Sequence, residues 1–237
     1  HPAPPVWLTA SELLGYATLC TLGVLVPQWQ MYGDVWWRVP PGRQSVALTF
    51  DDGPHPATTR MILEILARGN HRATFFLVGE KVERYPDVAR EICRAGHEIG
   101  LHGFVHDRLY SLRPPSFVAE DIDRAGRAIE AACGVRTRLF RPPVGYVSHR
   151  TASGARRAGV RLVAWSARGI DGVSAADPER VAERVGRQLR DGAIILLHDA
   201  SEREDFEPAS IRALPKILEA IEALGFKSIR VSELIAQ

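Results

Sequence analysis

Lysine is nearly absent from this 237-residue chain. It occurs only at positions 81, 216 and 227, and arginine carries the rest of the positive charge. The basic residues are scattered, and the net charge is +2. Neither feature makes the basic stripe with which a protein grips a nucleic-acid backbone, so no nucleic-acid partner is expected. Cysteine is equally scarce. Cys20, Cys93 and Cys133 cannot form a closed disulfide set, and none has the spacing of a metal site. Cys93 and Cys133 lie on apolar faces of helical patterns, which predicts core packing. No low-complexity segment and no second composition regime appears. The chain begins with His1, not Met, and so reads as trimmed or engineered.

Hydrophobic residues make up 46% of the chain, ample for a core. The longest apolar run is 13–26, LLGYATLCTLGVLV. Thr9-Ala-Ser-Glu12 ahead of it has the form of a capping box, and Pro27 ends it. The pattern predicts one helix over 10–26, about 17 residues long, near the lower limit for crossing a bilayer. The helix is expected to bury Leu13, Leu14, Leu22 and Leu25 against the domain or a partner surface and need not cross a membrane; lying at a membrane surface, or being the remnant of a membrane hairpin, are the alternatives. Trp29, Trp36 and Trp37 follow, which suits an interface belt and a docked arm equally.

After Pro40-Pro41-Gly42 the pattern becomes regular. Strand-like runs fall at 45–50, 73–78, 97–101, 138–141, 160–165, 193–198 and 226–231, with helical patterns between most of them. Pro56, Pro86, Pro115, Pro178 and Pro208 open helices, while Gly69, Gly134 and Gly225 follow their ends. Alternating strands and helices predict a parallel sheet, either open and doubly wound or closed into a barrel. The expected organisation is an N-terminal arm over 1–41 and one catalytic domain over 42–237.

Unusual polar residues gather at the carboxyl ends of different strands. Asp51-Asp52-Gly53-Pro54 follows the first and His102-Gly-Phe-Val-His106 the third. Arg141-Pro-Pro-Val-Gly145 ends the fourth, Trp165 to Asp171 follows the fifth, and His198 closes the sixth. In a β/α barrel that rim builds active sites. Asp, His and His suit a catalytic divalent metal that keeps open positions, and one of two adjacent aspartates can hold the cation while its neighbour stays a free base. His97 reads as structural, His55 as a rim residue, and His1, His71 and His149 as surface residues.

With these motifs in this order, the chain resembles the polysaccharide deacetylases with the NodB-homology domain, carbohydrate esterase family 4, over roughly residues 44–235. The resemblance implies a distorted (β/α)7 barrel, here carrying an N-terminal helical arm. It implies a metal triad of Asp52, His102 and His106, usually zinc, with Co2+ or Ni2+ as alternatives. Asp51 would be the catalytic base, Arg141 its orienting partner, His198 the general acid and Asp171 the carboxylate that tunes it. Leu196 would line the acetyl pocket, Val144 would offer its backbone N–H to the oxyanion, and Trp165 and Pro143 would help bind substrate. The implied activity is metal-dependent removal of N-acetyl groups from an N-acetylglucosamine-type glycan, at the cell envelope or outside the cytoplasm.

Four positions depart from the family pattern. Gly103 replaces a Ser or Thr, Val144 a Tyr, Arg168 a frequent Asp, and Gly172 a Trp. The polar set is complete, so activity is expected, but the binding surface is remodelled and the acetyl side of the cleft should be more open at Gly172. Alternatives are a deformylase or deacetylase of a lipid-linked sugar, motivated by the apolar arm, an esterase of acetylated xylan, and a non-catalytic carbohydrate-binding relative.

Overall fold

A computed structural model describes residues 6–236. The elements run α1 (Val6–Leu25), β1 (Val35–Trp36), β2 (Ser45–Asp51), α2 (Thr58–Arg68), β3 (Ala73–Leu77), α3 (Gly79–Arg84), α4 (Pro86–Arg94) and β4 (Glu98–Leu101). They continue with α5 (Pro115–Cys133), β5 (Leu139–Phe140), α6 (His149–Arg157), β6 (Arg161–Val163), β7 (Ala167–Arg168), α7 (Pro178–Gln188), β8 (Ile194–His198), α8 (Ser210–Ala223), β9 (Lys227–Ser228) and α9 (Val231–Ala236). The sheet order is β1-β6-β5-β4-β3-β2-β8-β7, with β9 beside β2. Neighbouring strands pair in parallel, which explains why their sequences read as continuous apolar runs rather than alternating ones. Every residue of β2 and β3 is buried.

The sheet curls until its ends meet. An antiparallel bridge joins Arg38, just past β1, to Ala193, just ahead of β8. This is the distorted (β/α)7 architecture, with β2, β3, β4 and β8 as its longest strands. The others are shorter than their apolar runs. Pro142 and Pro143 end β5 because they have no N–H to give a ladder. The run at 226–231 yields only Lys227–Ser228, since Val231 already begins α9.

Helix boundaries follow local chemistry. The Asp177 side chain accepts from the Glu179 N–H at the start of α7, with Pro178 next. Gly134, at φ 69°, closes α5 by donating to the Glu130 carbonyl. Cys93 and Cys133 pack half-buried against the main core.

The N-terminal segment differs from expectation twice. First, β1 lies in the segment read as an arm, yet it pairs with β6, so the sheet begins before Pro40. Second, α1 begins at Val6 and runs straight through Thr9–Glu12, so no capping box forms there. Ser11 Oγ donates back to the Leu8 carbonyl at 2.8 Å instead. Leu13, Leu14, Leu22 and Leu25 are 66, 70, 39 and 44% exposed, so the helix does not bury them against the domain. Only its carboxyl-terminal end is tied down: the Val147 N–H donates to the Val24 carbonyl at 3.3 Å, and Tyr32 Oη to the Cys20 carbonyl at 3.0 Å.

Candidate active site

Asp51 is the last residue of β2, and Asp52 leaves the strand in the left-handed region at φ 75°. Aspartate is among the few residues with a Cβ that tolerate this conformation. The turn gives the two neighbouring carboxylates different partners. Arg141, fully buried, donates from Nη1 to Asp51 Oδ1 at 2.7 Å and to Thr49 Oγ1 at 2.8 Å. Its Nη2 donates to the Ala164 carbonyl at 3.1 Å, and its guanidinium stands 4.2 Å from the Phe76 ring centre. The cation is therefore locked in place, and Asp51 Oδ1 with it.

Asp52 faces the imidazoles. Its Oδ1 lies 3.2 Å from His102 Nε2 and 3.3 Å from His106 Nε2. Burial pushes the Asp52 carboxyl up, but the contact to His102 and the charges of His198, His102 and His106 outweigh it and hold it well below the usual carboxylate range. His102 Nδ1 can only donate to the Arg141 carbonyl, 2.8 Å away, which leaves Nε2 as the lone-pair nitrogen facing Asp52. Burial pulls the His102 pKa down, and the charge of Asp51 with the contact to Asp52 more than restores it. His106 is pulled down, chiefly by burial.

These residues fit a divalent cation. One donor atom from each of Asp52, His102 and His106 lies within 4.8 Å of the others. Asp52 Oδ1 and His106 Nδ1 are buried without a hydrogen-bond partner among the described residues. A carboxylate and two neutral imidazoles make the borderline donor set that zinc takes.

Across the cleft, His198 ends β8. Its backbone N–H donates to Asp171 Oδ2 at 2.7 Å and its Nδ1 to Asp171 Oδ1 at 3.2 Å. Burial alone would lower its pKa, but Asp171, Asp52 and Asp51 raise it to about 10. Gly172 packs against this ring; a Cβ there would stand 3.0 Å from its Cε1 and Nδ1. The missing side chain thus admits His198 as well as opening the cleft.

The cleft has a volume of about 530 Å³ and is lined by Asp51, Asp52, His102, His106, Val144, Trp165, Leu196 and His198. Arg141 and Asp171 sit behind it, fully buried, and Pro143 is buried beside Gly103 rather than lining the cleft. Val144, at φ 63°, is 41% exposed on the rim. His55 does not line the cleft; its Nδ1 accepts from the Thr58 N–H at 3.3 Å, in the first turn of α2. His71 is buried rather than on the surface, with Nδ1 3.0 Å from Ser228 Oγ and Nε2 3.2 Å from Glu222. His97 is structural and accepts from the Ala73 N–H at 3.2 Å. His1 lies outside the described residues.

Several residues of the site escape sequence reasoning. Asp121, inside α5, accepts from the Phe104 N–H at 2.8 Å, the Val105 N–H at 3.3 Å and Tyr110 Oη at 3.1 Å. It fastens the loop between the two histidines. The available signal was a carboxylate on the buried face of α5, beside Val118, Ile122 and Ala125. Gly103 has φ 80°, and a Cβ there would stand 2.9 Å from Asp121 Oδ2, so this loop leaves no room for a Ser or Thr. Glu202 places Oε1 3.5 Å from His106 Nδ1 and takes a 2.6 Å ion pair from Arg108. Asp199 is fully buried, accepts from Thr59 Oγ1 at 2.5 Å, and is pushed by burial up to about 7. Tyr146, Arg203, Asp205 and Phe206 complete the walls.

Asp121→Ala strands the buried Phe104 N–H and the half-buried Val105 N–H and leaves the Tyr110 hydroxyl with only the Val118 carbonyl. It is expected to lower stability by about 1–3 kcal/mol and to loosen metal binding roughly 10- to 100-fold, as loss of a group that orients ligands does. Denaturant unfolding with and without zinc checks both; zinc affinity unchanged in the variant would show that the loop needs no such fastening.

Comparison with known proteins agrees with this geometry. Residues 38–163 match the family described as polysaccharide deacetylase. The chain is 34% identical over 205 residues to a peptidoglycan-N-acetylglucosamine deacetylase of Bacillus cereus, covering 86% of this chain and 93% of that one. It is 35% identical over 207 residues to a chitooligosaccharide deacetylase of Bradyrhizobium, covering 83% and 90%. Among solved structures it is similar to a CE4 family pseudoenzyme from Bacillus anthracis, with TM-score 0.75, 28% identity and coverage of 84% and 68%. Its strand-end motifs, its curled parallel sheet and these relatives together place the chain in the polysaccharide deacetylase family, the NodB-homology glycan deacetylases of carbohydrate esterase family 4.

Proposed function

We propose that this glycan deacetylase is a metal-dependent N-deacetylase of N-acetylglucosamine-type glycans, acting at the cell envelope. One observation carries the reading: three donor atoms converge at Asp52, His102 and His106 while Asp51 and His198 face the same cleft. The two relatives named above are a peptidoglycan-N-acetylglucosamine deacetylase and a chitooligosaccharide deacetylase, which supports a glycan substrate whose acetyl group is removed. The pseudoenzyme relative shows that the fold alone does not guarantee turnover, so the complete polar set matters here.

An amide resists attack because its carbonyl is a weak electrophile and its amine a poor leaving group. Asp52, His102 and His106 would hold a divalent cation, most suitably zinc, which would supply Lewis acidity to the carbonyl and lower the pKa of water. Asp51 takes the proton of the attacking water at Oδ2, since Oδ1 is engaged by Arg141. The Val144 N–H, on the cleft wall, stabilises the developing oxyanion. His198 gives its Nε2 proton to the departing nitrogen, because Nδ1 is bound to Asp171. Water is thereby divided between acetate and the free amine. Leu196 and Trp165 offer apolar wall to the acetyl methyl.

Chelator-treated protein is expected to release no acetate from N-acetylchitooligosaccharides or peptidoglycan, and to regain activity with zinc. Acetylxylan in the same assay tests the ester alternative, and faster turnover there would replace the amide reading. Absorption spectroscopy on the metal-loaded protein is expected to show two imidazoles and no sulfur; a thiolate or a third imidazole in the shell would reject this ligand set.

A further inference from the structure

Helix α1 presents apolar side chains on every side. Leu13, Leu14, Tyr16, Leu19, Leu22 and Leu25 are all between 39 and 70% exposed. At about 100° per residue they point around the full circumference of the helix. A helix lying on a protein or at a membrane surface keeps a polar face, whereas one apolar all round is made for an apolar surround. The domain supplies none, since almost nothing of Trp7–Leu25 is buried. Three of its hydroxyls are already satisfied within the helix: Ser11 donates to the Leu8 carbonyl, Thr18 to Leu14 and Thr21 to Ala17, each at 2.8 Å. That is how polar groups are accommodated where no water is available. Its 20 residues extend about 30 Å, the thickness of a hydrocarbon core. Trp29, 53% exposed, stands at the exit, where aromatic rings favour the headgroup level.

We propose that α1 inserts into a lipid bilayer and holds the catalytic cleft at the membrane surface, so that the glycan deacetylated is one carried close to that membrane. The second half rests on the deacetylase reading above. The geometry behind it is the attachment of the helix at its carboxyl-terminal end. Its end is fastened to Val147, and Gln28 Nε2 donates to the Trp165 carbonyl at 3.0 Å. Trp165, Val144, Gly145 and Tyr146 line the cleft. Val147 is three residues from Val144, so at most ~10 Å of chain separates the helix exit from the cleft wall. Glu12 is the one charged side chain in α1 and works against insertion.

The test uses the full chain carrying Cys93→Ser and Cys133→Ser, which leaves Cys20 of α1 as the sole thiol. It is mixed with phosphatidylcholine–phosphatidylglycerol vesicles at high salt, floated, and exposed to a membrane-impermeant maleimide. The protein is expected to float with the vesicles, and Cys20 labelling to slow by about tenfold or more once lipid is present. Glu12→Gln should strengthen flotation. Leu14→Asp with Leu19→Asp should abolish flotation, yet leave hydrolysis of a soluble N-acetylchitooligosaccharide unchanged. An N-acetylglucosamine-headed glycolipid in the same vesicles should be turned over faster by the parent than by this double variant. Protein that stays out of the vesicles overturns the proposal. So does a lipid-independent dimer in which Cys20 is already shielded, since α1 would then be covered by a second copy. Flotation without turnover of either substrate would instead sink the deacetylase reading while the membrane helix stands. Flotation with equal turnover of glycolipid by parent and double variant would overturn the placement of the cleft.

Discussion

Asp51→Asn loaded with zinc is expected to retain the metal and lose acetate release by about two to four orders of magnitude, the scale of a lost general base. His102→Ala is expected to lose both. The contrast follows from the left-handed turn at Asp52, which divides two adjacent carboxylates between two tasks. Asp51 is committed through Oδ1 to Arg141, and its Oδ2 stands 4.0 Å from His102 Nε2, farther than the Asp52 oxygen at 3.2 Å. Asparagine keeps a carbonyl oxygen for the guanidinium but cannot take a proton from water. It also leaves a buried cation without its counter-charge, which costs about 3 kcal/mol or more. Metal content must therefore be measured per folded molecule, by mass spectrometry of native protein beside acetate release. Equal zinc loss in both variants would show that the two aspartates have been assigned the wrong way round.

His198→Ala should lower turnover by about two to four orders of magnitude, and Asp171→Asn by less, with a moved pH profile. The direction of that movement is set by two opposing influences. Burial favours the neutral imidazole, and the carboxylates, Asp171 foremost, more than reverse this, so the ring stays protonated up to about 10. The active form of a general acid is the protonated one, so activity falls on the alkaline side as His198 loses its proton. Removing the Asp171 charge leaves burial in place, so His198 titrates at lower pH and the alkaline limb moves down. A cation at Asp52 would shield that carboxylate and repel an imidazolium, which makes the ring depend all the more on Asp171. Rates across pH for parent and Asp171→Asn decide it; an alkaline limb that stays put would break the pairing.

Asp51, Asp52, His102, His106 and His198 were legible because each closes a strand or sits within a short motif. In a parallel sheet curled on itself, all strands deliver their carboxyl ends to one rim, so five separate motifs converge without any need to predict distances. Asp121, Asp199 and Glu202 were not legible, because each acts on a residue far away in sequence. Asp121 looks like one more acidic residue in a helix, and only the packing of α5 under the 102–106 loop reveals what its oxygens hold. Gly103 and Gly172 were visible as departures, but their reason was not. One lies against Asp121 and the other against the His198 ring, and such close approaches exist only once the chain is folded.

The apolar helix marks the same boundary from the other side. Its existence and its end at Pro27 are written in the sequence, since a long apolar run without proline or a second charge forms a helix almost anywhere. Where its surface goes is not local information: Leu13 and Leu14 would read alike in a core, a dimer or a bilayer, and only the folded domain leaves them uncovered. By itself, then, the sequence determined the strand-and-helix alternation, the ring of polar strand ends and the chemistry those side chains carry, because these depend on residue type and short-range spacing. Residue type and spacing left open which aspartate faces the imidazoles and which carboxylate holds His198; the family resemblance implied both, and tertiary structure supplies the reason, as it alone decides where α1 leaves the cleft wall. Those depend on a left-handed turn, on burial and on contacts between residues as far apart in the chain as Val24 and Val147.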